Sequence, residues 1–139
     1  MGIKITWSNY LGSGKPFSTM AYPLDEATIN DIVPDNKPHG NYKIYQKRLV
    51  DGKEKYRVIY IGRTADRTSD LGLKARIKDH VKEWEGELFF DFVVQNSAKA
   101  AYEQECRDYH NWTERGCAKY NEYHPAKLND NCKCPICGE

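Results

Sequence analysis

Gly40-Asn41-Tyr42-Lys43-Ile44-Tyr45 and Tyr56-Arg57-Val58-Ile59-Tyr60-Ile61-Gly62 are the stretches whose reading decides the fold. Both are rich in β-branched and aromatic residues, which suit a pleated, half-buried surface. Between them lies Asp51-Gly52, a dipeptide that accepts positive φ at both centres of a tight turn. A two-stranded antiparallel hairpin is expected.

Downstream, Leu73, Ile77, Val81 and Trp84 recur at helical spacing and predict a helix from about Leu73 to Trp84. Leu88-Phe89-Phe90-Asp91-Phe92-Val93-Val94 reads as a third, buried strand. Asn96-Ser97 offers an N-cap for a second helix, Ala98 to about Trp112. The order strand, strand, helix, strand, helix predicts an α+β domain over residues 40–112, with a three-stranded antiparallel sheet flanked by helices. Residues 1–39 are punctuated by Gly12-Ser13-Gly14-Lys15-Pro16, Tyr22-Pro23, Val33-Pro34 and Lys37-Pro38. They read as an extended arm with one short strand at Ile3 to Trp7 and one short helix near Asp25 to Ile32. Residues 113–139 read as an irregular polar tail.

The chain has 139 residues and 40% hydrophobic content, enough for one modest core. No apolar run approaches the roughly 20 residues that span a bilayer, and the N-terminus lacks the pattern of a secretion signal. A cytoplasmic protein with no membrane partner is expected. Its five cysteines, an odd count, favour thiols used as ligands over a disulfide framework. The formal net charge is only +1, yet residues 37–82 carry 13 Lys or Arg against 5 Asp or Glu. A middle that basic suits a phosphate backbone, and equally suits a solvated face balanced by the acidic tail.

The strand ends Gly40-Asn41-Tyr42 and Tyr60-Ile61-Gly62 resemble the paired signature of the GIY-YIG nuclease family, with Asn41 standing where the family has isoleucine. The family places an Arg on the next helix, often a His or Tyr one turn later, and a Glu on the following helix. Arg76, His80 and Glu105 supply these in order, Glu105 falling four after Ala101, with Glu103 as the alternative register. The loop before Arg76 is longer than family members usually carry, by about Ala65 to Gly72. The resemblance implies a metal-dependent endonuclease hydrolysing DNA phosphodiesters, RNA being a further substrate class.

Those residue types suit that chemistry, which needs an activated water and neutralised phosphoryl charge. Glu105 offers a hard oxygen for Mg²⁺ or Mn²⁺. Arg76 would brace the phosphate, with Arg63 as a second phosphate contact. Tyr60 would act as general base once the metal and Arg76 lower its pKa, with Tyr42 positioning it, and His80 would share that role or stabilise the phosphate. A catalytically inactive, zinc-containing nucleic-acid-binding module is the competing expectation.

Cys134-Pro135-Ile136-Cys137-Gly138 has the form of a zinc knuckle. Cys106 and His110, four apart on the second helix, would complete a structural Zn²⁺ site with Cys134 and Cys137. Cys117, Cys132 and His124 are substitute ligands. Because Cys106 follows Glu105, zinc would fix the rotation of the helix that presents the carboxylate.

Overall fold

The computed structural model describes residues 2–6, 8–11, 18–64, 72–113, 124–126 and 133–138. The described residues form an α+β fold, with a curled five-stranded antiparallel sheet and three helices. Strands β1 (Ile3–Thr6), β2 (Ser18–Pro23), β3 (Gly40–Val50), β4 (Lys53–Thr64) and β5 (Leu88–Val94) lie in the order β1-β2-β5-β3-β4. Helix α1 is Glu26–Ile32, α2 is Leu73–Lys78 and α3 is Ala98–Thr113.

The hairpin forms as its turn chemistry dictates. Asp51 and Gly52 adopt φ of 52° and 77°, and Val50 pairs with Lys53 across them. Asp25 caps α1 by accepting from the Thr28 amide at 2.7 Å. The Ser97 hydroxyl does the same for the Ala100 amide at the start of α3. The expected three-stranded sheet is corrected to five strands. Residues 18–23 pair with β5 through Tyr22 and Phe90, and β1 pairs with β2, so the N-terminal segment extends the sheet. Strand β2 escapes sequence reading because it is six residues long, ends in Pro23 and follows a run of turn formers.

Alternation along the strands divides the core into two layers. One face carries Tyr45, Val58, Ile61 and Phe89 against Trp112 of α3. The other carries Tyr42, Ile44, Ile59 and Phe90 against Ile29 of α1 and Leu73 and Ile77 of α2. On the α3 face the Lys43 ammonium, the Tyr45 hydroxyl and the Thr19 hydroxyl all converge on one oxygen of Asp91. A bulge places Ile59 opposite no partner, between the pairs Ile44 with Tyr60 and Tyr45 with Val58. It turns Tyr60 towards the α2 side.

Helix α2 ends at Lys78, short of the expected Trp84. Beyond it the chain continues in tighter turns, with i to i−3 bonds from His80 to Ile77, Val81 to Lys78 and Glu83 to His80. That tightening carries the apolar stripe past the helix and brings His80 and Trp84 over the hairpin. Among the described residues, no helix is long and apolar enough to cross a membrane.

Candidate active site and metal centre

Tyr42 and Gly62 sit opposite each other in the hairpin register, and the tyrosine ring lies across the glycine. A Cβ built on Gly62 would come within 2.4 Å of both Cζ and Oη of Tyr42, so only glycine leaves room for this ring position. The Tyr42 hydroxyl lies 2.7 Å from Nε2 of His80 in a buried hydrogen bond. On the other side of the imidazole, Nδ1 pairs with the Glu83 carboxylate. With Glu83 ionised, Nδ1–H donates to it and Nε2 is left to accept from the tyrosine hydroxyl. Trp84 stacks on the His80 ring at 5.1 Å and 11°, and Tyr60 packs against both at 5.0 and 5.2 Å. The imidazole is therefore fixed in position and in tautomer.

Two charges bear on this cluster. Burial raises the Tyr60 pKa above 10.0, Glu105 and Glu83 push it further up, and Arg76 draws it down. Burial likewise raises Tyr42 well above 10.0, and both Arg76 and Glu105 act on it. Arg76 and Glu105 thus share one electrostatic neighbourhood with the two tyrosines. Glu105 bears on both tyrosines and is bound by Arg63 from β4, so its helix register faces the hairpin. The pull of Arg76 on Tyr60 is outweighed by desolvation, which keeps the hydroxyl protonated and so unable to accept a proton as it stands.

Glu105 is itself largely buried, and burial raises its carboxyl pKa while Arg63 opposes the shift. Arg63 donates through Nη1 to Glu105 Oε1 at 2.5 Å and through Nη2 to the Ala126 carbonyl at 2.7 Å. Its guanidinium also lies 5.1 Å over the Tyr102 ring. Arg63, expected to contact phosphate, here spans Glu105 and the C-terminal tail. The Glu105 carboxylate offers the hard oxygen that Mg²⁺ or Mn²⁺ requires, and such an ion keeps most of its waters and takes phosphate as a further ligand.

His110, His124, Cys134 and Cys137 bring one ligand atom each to within 4.8 Å of one another, a group that can hold a metal ion such as zinc. His124 Nε2 lies 3.5 Å from Cys137 Sγ. Tetrahedral zinc, at the usual bond lengths, sets such a nitrogen–sulfur edge at about 3.6 Å. Nδ1–H of His124 donates to the Pro125 carbonyl at 3.0 Å, which leaves Nε2 free to face the ligand group. The knuckle itself is closed by the Gly138 amide donating to the Cys134 carbonyl at 2.9 Å, with Gly138 at φ 77°.

Cys106 was expected as the fourth ligand, with His124 among its substitutes; the four residues whose ligand atoms come together are His110, His124, Cys134 and Cys137. Cys106 is fully buried beside Tyr102 and Cys134, and burial pushes its thiol up to about 12. Its thiol nevertheless reaches that of Cys134, so Cys106 lies beside the ligand group. Burial also acts to raise Cys134, but hydrogen bonds from the backbone of Cys137 and Ile136 and from His124 bring it down to about 6. The substitute ligands Cys117 and Cys132, and the loop residues 65–71, lie outside the described residues.

Of the expected residues, Tyr42, Tyr60 and His80 are in direct contact, Arg76 and Glu105 act on them electrostatically, and Arg63 holds Glu105. Sequence reasoning missed Glu83 and the packing role of Trp84. The His80-x-x-Glu83 spacing was the available signal for the former, since residues three apart on a helical turn are neighbours. Compared with models of protein families, with curated proteins and with solved structures, the chain matches none.

Proposed function

We propose that this protein is a metal-dependent endonuclease with a GIY-YIG-like active site, hydrolysing phosphodiester bonds of DNA. The observation that carries the proposal is the hydrogen-bonded chain Glu83–His80–Tyr42 beside Tyr60, within the field of Arg76 and Glu105. A Mg²⁺ or Mn²⁺ on Glu105, when bound, supplies positive charge to the phosphoryl oxygens and acidifies water.

The chain's own residues do the rest. Imidazole is the usual proton acceptor near neutral pH. His80 therefore takes over the base role expected of Tyr60, and receives the proton from the attacking water through the Tyr42 hydroxyl. Glu83 stabilises the imidazolium that results, as a carboxylate does when it accepts from Nδ1–H. Tyr60 orients the water, and Arg76 holds the scissile phosphate through its rigid fork. Arg63 keeps the Glu105 carboxylate aimed, and its second bond, to Ala126, ties that carboxylate to the segment containing His124.

Zinc at His110, His124, Cys134 and Cys137 has all four positions filled by protein, which marks a structural site with no part in the bond-breaking step. The deciding experiment is plasmid nicking with Mg²⁺ or Mn²⁺, run beside Glu105→Ala. Nicking that the substitution abolishes supports the proposal. Failure of the unmodified protein to cleave any DNA or RNA form refutes it in favour of a binding module.

A further inference from the structure

Strand β5 stops pairing with β3 at Gln46, while β3 and β4 continue as a ribbon to the Asp51-Gly52 turn, flanked on β4 at Tyr56 by residues 9–11. The tip projects clear of the core, with Leu49 73% exposed. Its register sorts the ribbon's charges by face. Gln46, Arg48 and Val50 alternate to one side, and their partners Arg57, Lys55 and Lys53 lie on that same side. This is the side that bears Tyr42 and Tyr60, because the bulge at Ile59 keeps Tyr60 in phase with Ile44. The Lys55 ammonium donates to the Ser8 carbonyl at 2.7 Å, beside β4, while Arg48 and Gln46 bond along the face itself. Arg48 Nε donates to Gln46 Oε1, and Gln46 in turn donates to the Glu85 carbonyl in the segment after α2.

The ribbon's acids lie elsewhere. Asp51 is in the turn, and Glu54 is on the opposite face, paired with Lys47, which also holds Glu87. One face of the ribbon therefore carries Arg48, Lys53, Lys55 and Arg57 with no ribbon carboxylate among them, in line with the candidate active site.

We propose that this face is the duplex-DNA docking surface of the protein, its cations following the phosphates away from the cut. The proposal rests on the nuclease reading for its choice of partner. Ile44 and Val50, the partners of Tyr60 and Lys53, are six residues apart, so the ribbon reaches about 20 Å from the tyrosine. At about 3.4 Å per base pair, that spans roughly six base pairs, half a helical turn. The geometry suits one strand's backbone held from the scissile phosphate to the ribbon tip, a contact to phosphate that carries position and no sequence information.

The test is fluorescence anisotropy of a labelled mixed-sequence duplex about two helical turns long, with the zinc-loaded full chain and no Mg²⁺ or Mn²⁺, across a NaCl series. Each phosphate neutralised contributes about 0.9 to the slope of log K against log salt. The variant R48Q/K53Q/K55Q should bind at least about tenfold more weakly at about 0.1 M salt, with a slope lower by about 2.7. The charge-preserving R48K/K53R/K55R should keep the unmodified slope, and so should K47Q, on the opposite face. Matching melting curves for all variants show that folding is retained. A triple neutral variant with the unmodified slope overturns the proposal, as does K47Q lowering the slope equally, or an unmodified protein that does not bind the duplex. Binding through the ribbon without any nicking would reject the nuclease reading and keep this one, and nicking with an unchanged slope would do the reverse.

Discussion

Replacing Gly62 by alanine adds one methyl group, and its consequence can be worked out from the hairpin register. The new Cβ would stand 2.4 Å from Cζ and Oη of Tyr42, where ordinary contact begins near 3.4 Å, so the ring must move by about 1 Å. Tyr42 is only 3% exposed and has His80 and Tyr60 packed against it, so there is nowhere for the ring to go without disturbing them. Overpacking of this kind costs about 1–3 kcal/mol, and loss of the buried bond to His80 adds about 1 kcal/mol. For 139 residues the unfolding entropy is about 0.29 kcal/mol/K, so a loss of about 2–4 kcal/mol lowers Tm by roughly 7–14 °C. Nicking should fall further than stability explains, by about 100-fold, because a misplacement of about 1 Å in a catalytic group costs that much. Circular-dichroism melting and plasmid nicking measure the two effects, each repeated in a Tyr42→Val background where the ring is gone. In that background Gly62→Ala should cost much less, an interaction that a double-mutant cycle reads directly. A melting point within about 2 °C of the unmodified protein, or strictly additive effects, would show that the ring does not rest on Gly62.

Glu83→Gln should slow nicking about tenfold or more with Tm nearly unchanged, because the carboxylate is 48% exposed and pairs with the imidazole; a full rate would remove Glu83 from the proton path. His124→Ala should lower zinc content and melting temperature, while Cys106→Ala should leave zinc content near one per chain, and inductively coupled plasma mass spectrometry on the purified proteins would expose the reverse pattern. Lys43→Met strips the cation from the largely buried Asp91, leaving the hydroxyls of Tyr45 and Thr19 as its donors, and should cost about 2–4 kcal/mol in urea unfolding; a loss below about 1 kcal/mol would mean the pair is already solvated. Burial holds Tyr42 well above its ordinary pKa of 10.0. The contribution of its neutral hydroxyl is therefore complete below pH 10.0 and is lost as pH rises beyond, because the unfolded phenol ionises first. The urea midpoint of Tyr42→Phe should accordingly fall less than that of the unmodified protein between about pH 9 and about pH 11, and equal falls would contradict the burial.

The sequence by itself determined the parts of this protein whose physics is local. Asp51-Gly52 can only turn one way, and the alternating runs beside it must pair. Phe89 to Val94 is too apolar to lie outside the sheet, Ser97 caps α3, and Cys134 to Cys137 curls as a knuckle wherever it is placed. Tertiary structure decided what depends on segments distant in the chain. Strand β2 has too little pattern to declare itself, and becomes a strand because β5 presents an edge for Tyr22 and Pro23. Helix α2 satisfies its periodicity as far as Lys78 and then yields to tighter turns that set His80 and Trp84 over the hairpin. Spacing of four residues put Cys106 and His110 on one side of α3, but spacing is blind to burial. His124 meets His110 ring to ring, while Cys106 is buried between Tyr102 and Cys134. The same holds for Gly62. Its place in the strand was legible as a letter of a motif, and the reason it must be glycine is a tyrosine ring twenty residues away that only the strand register brings across it.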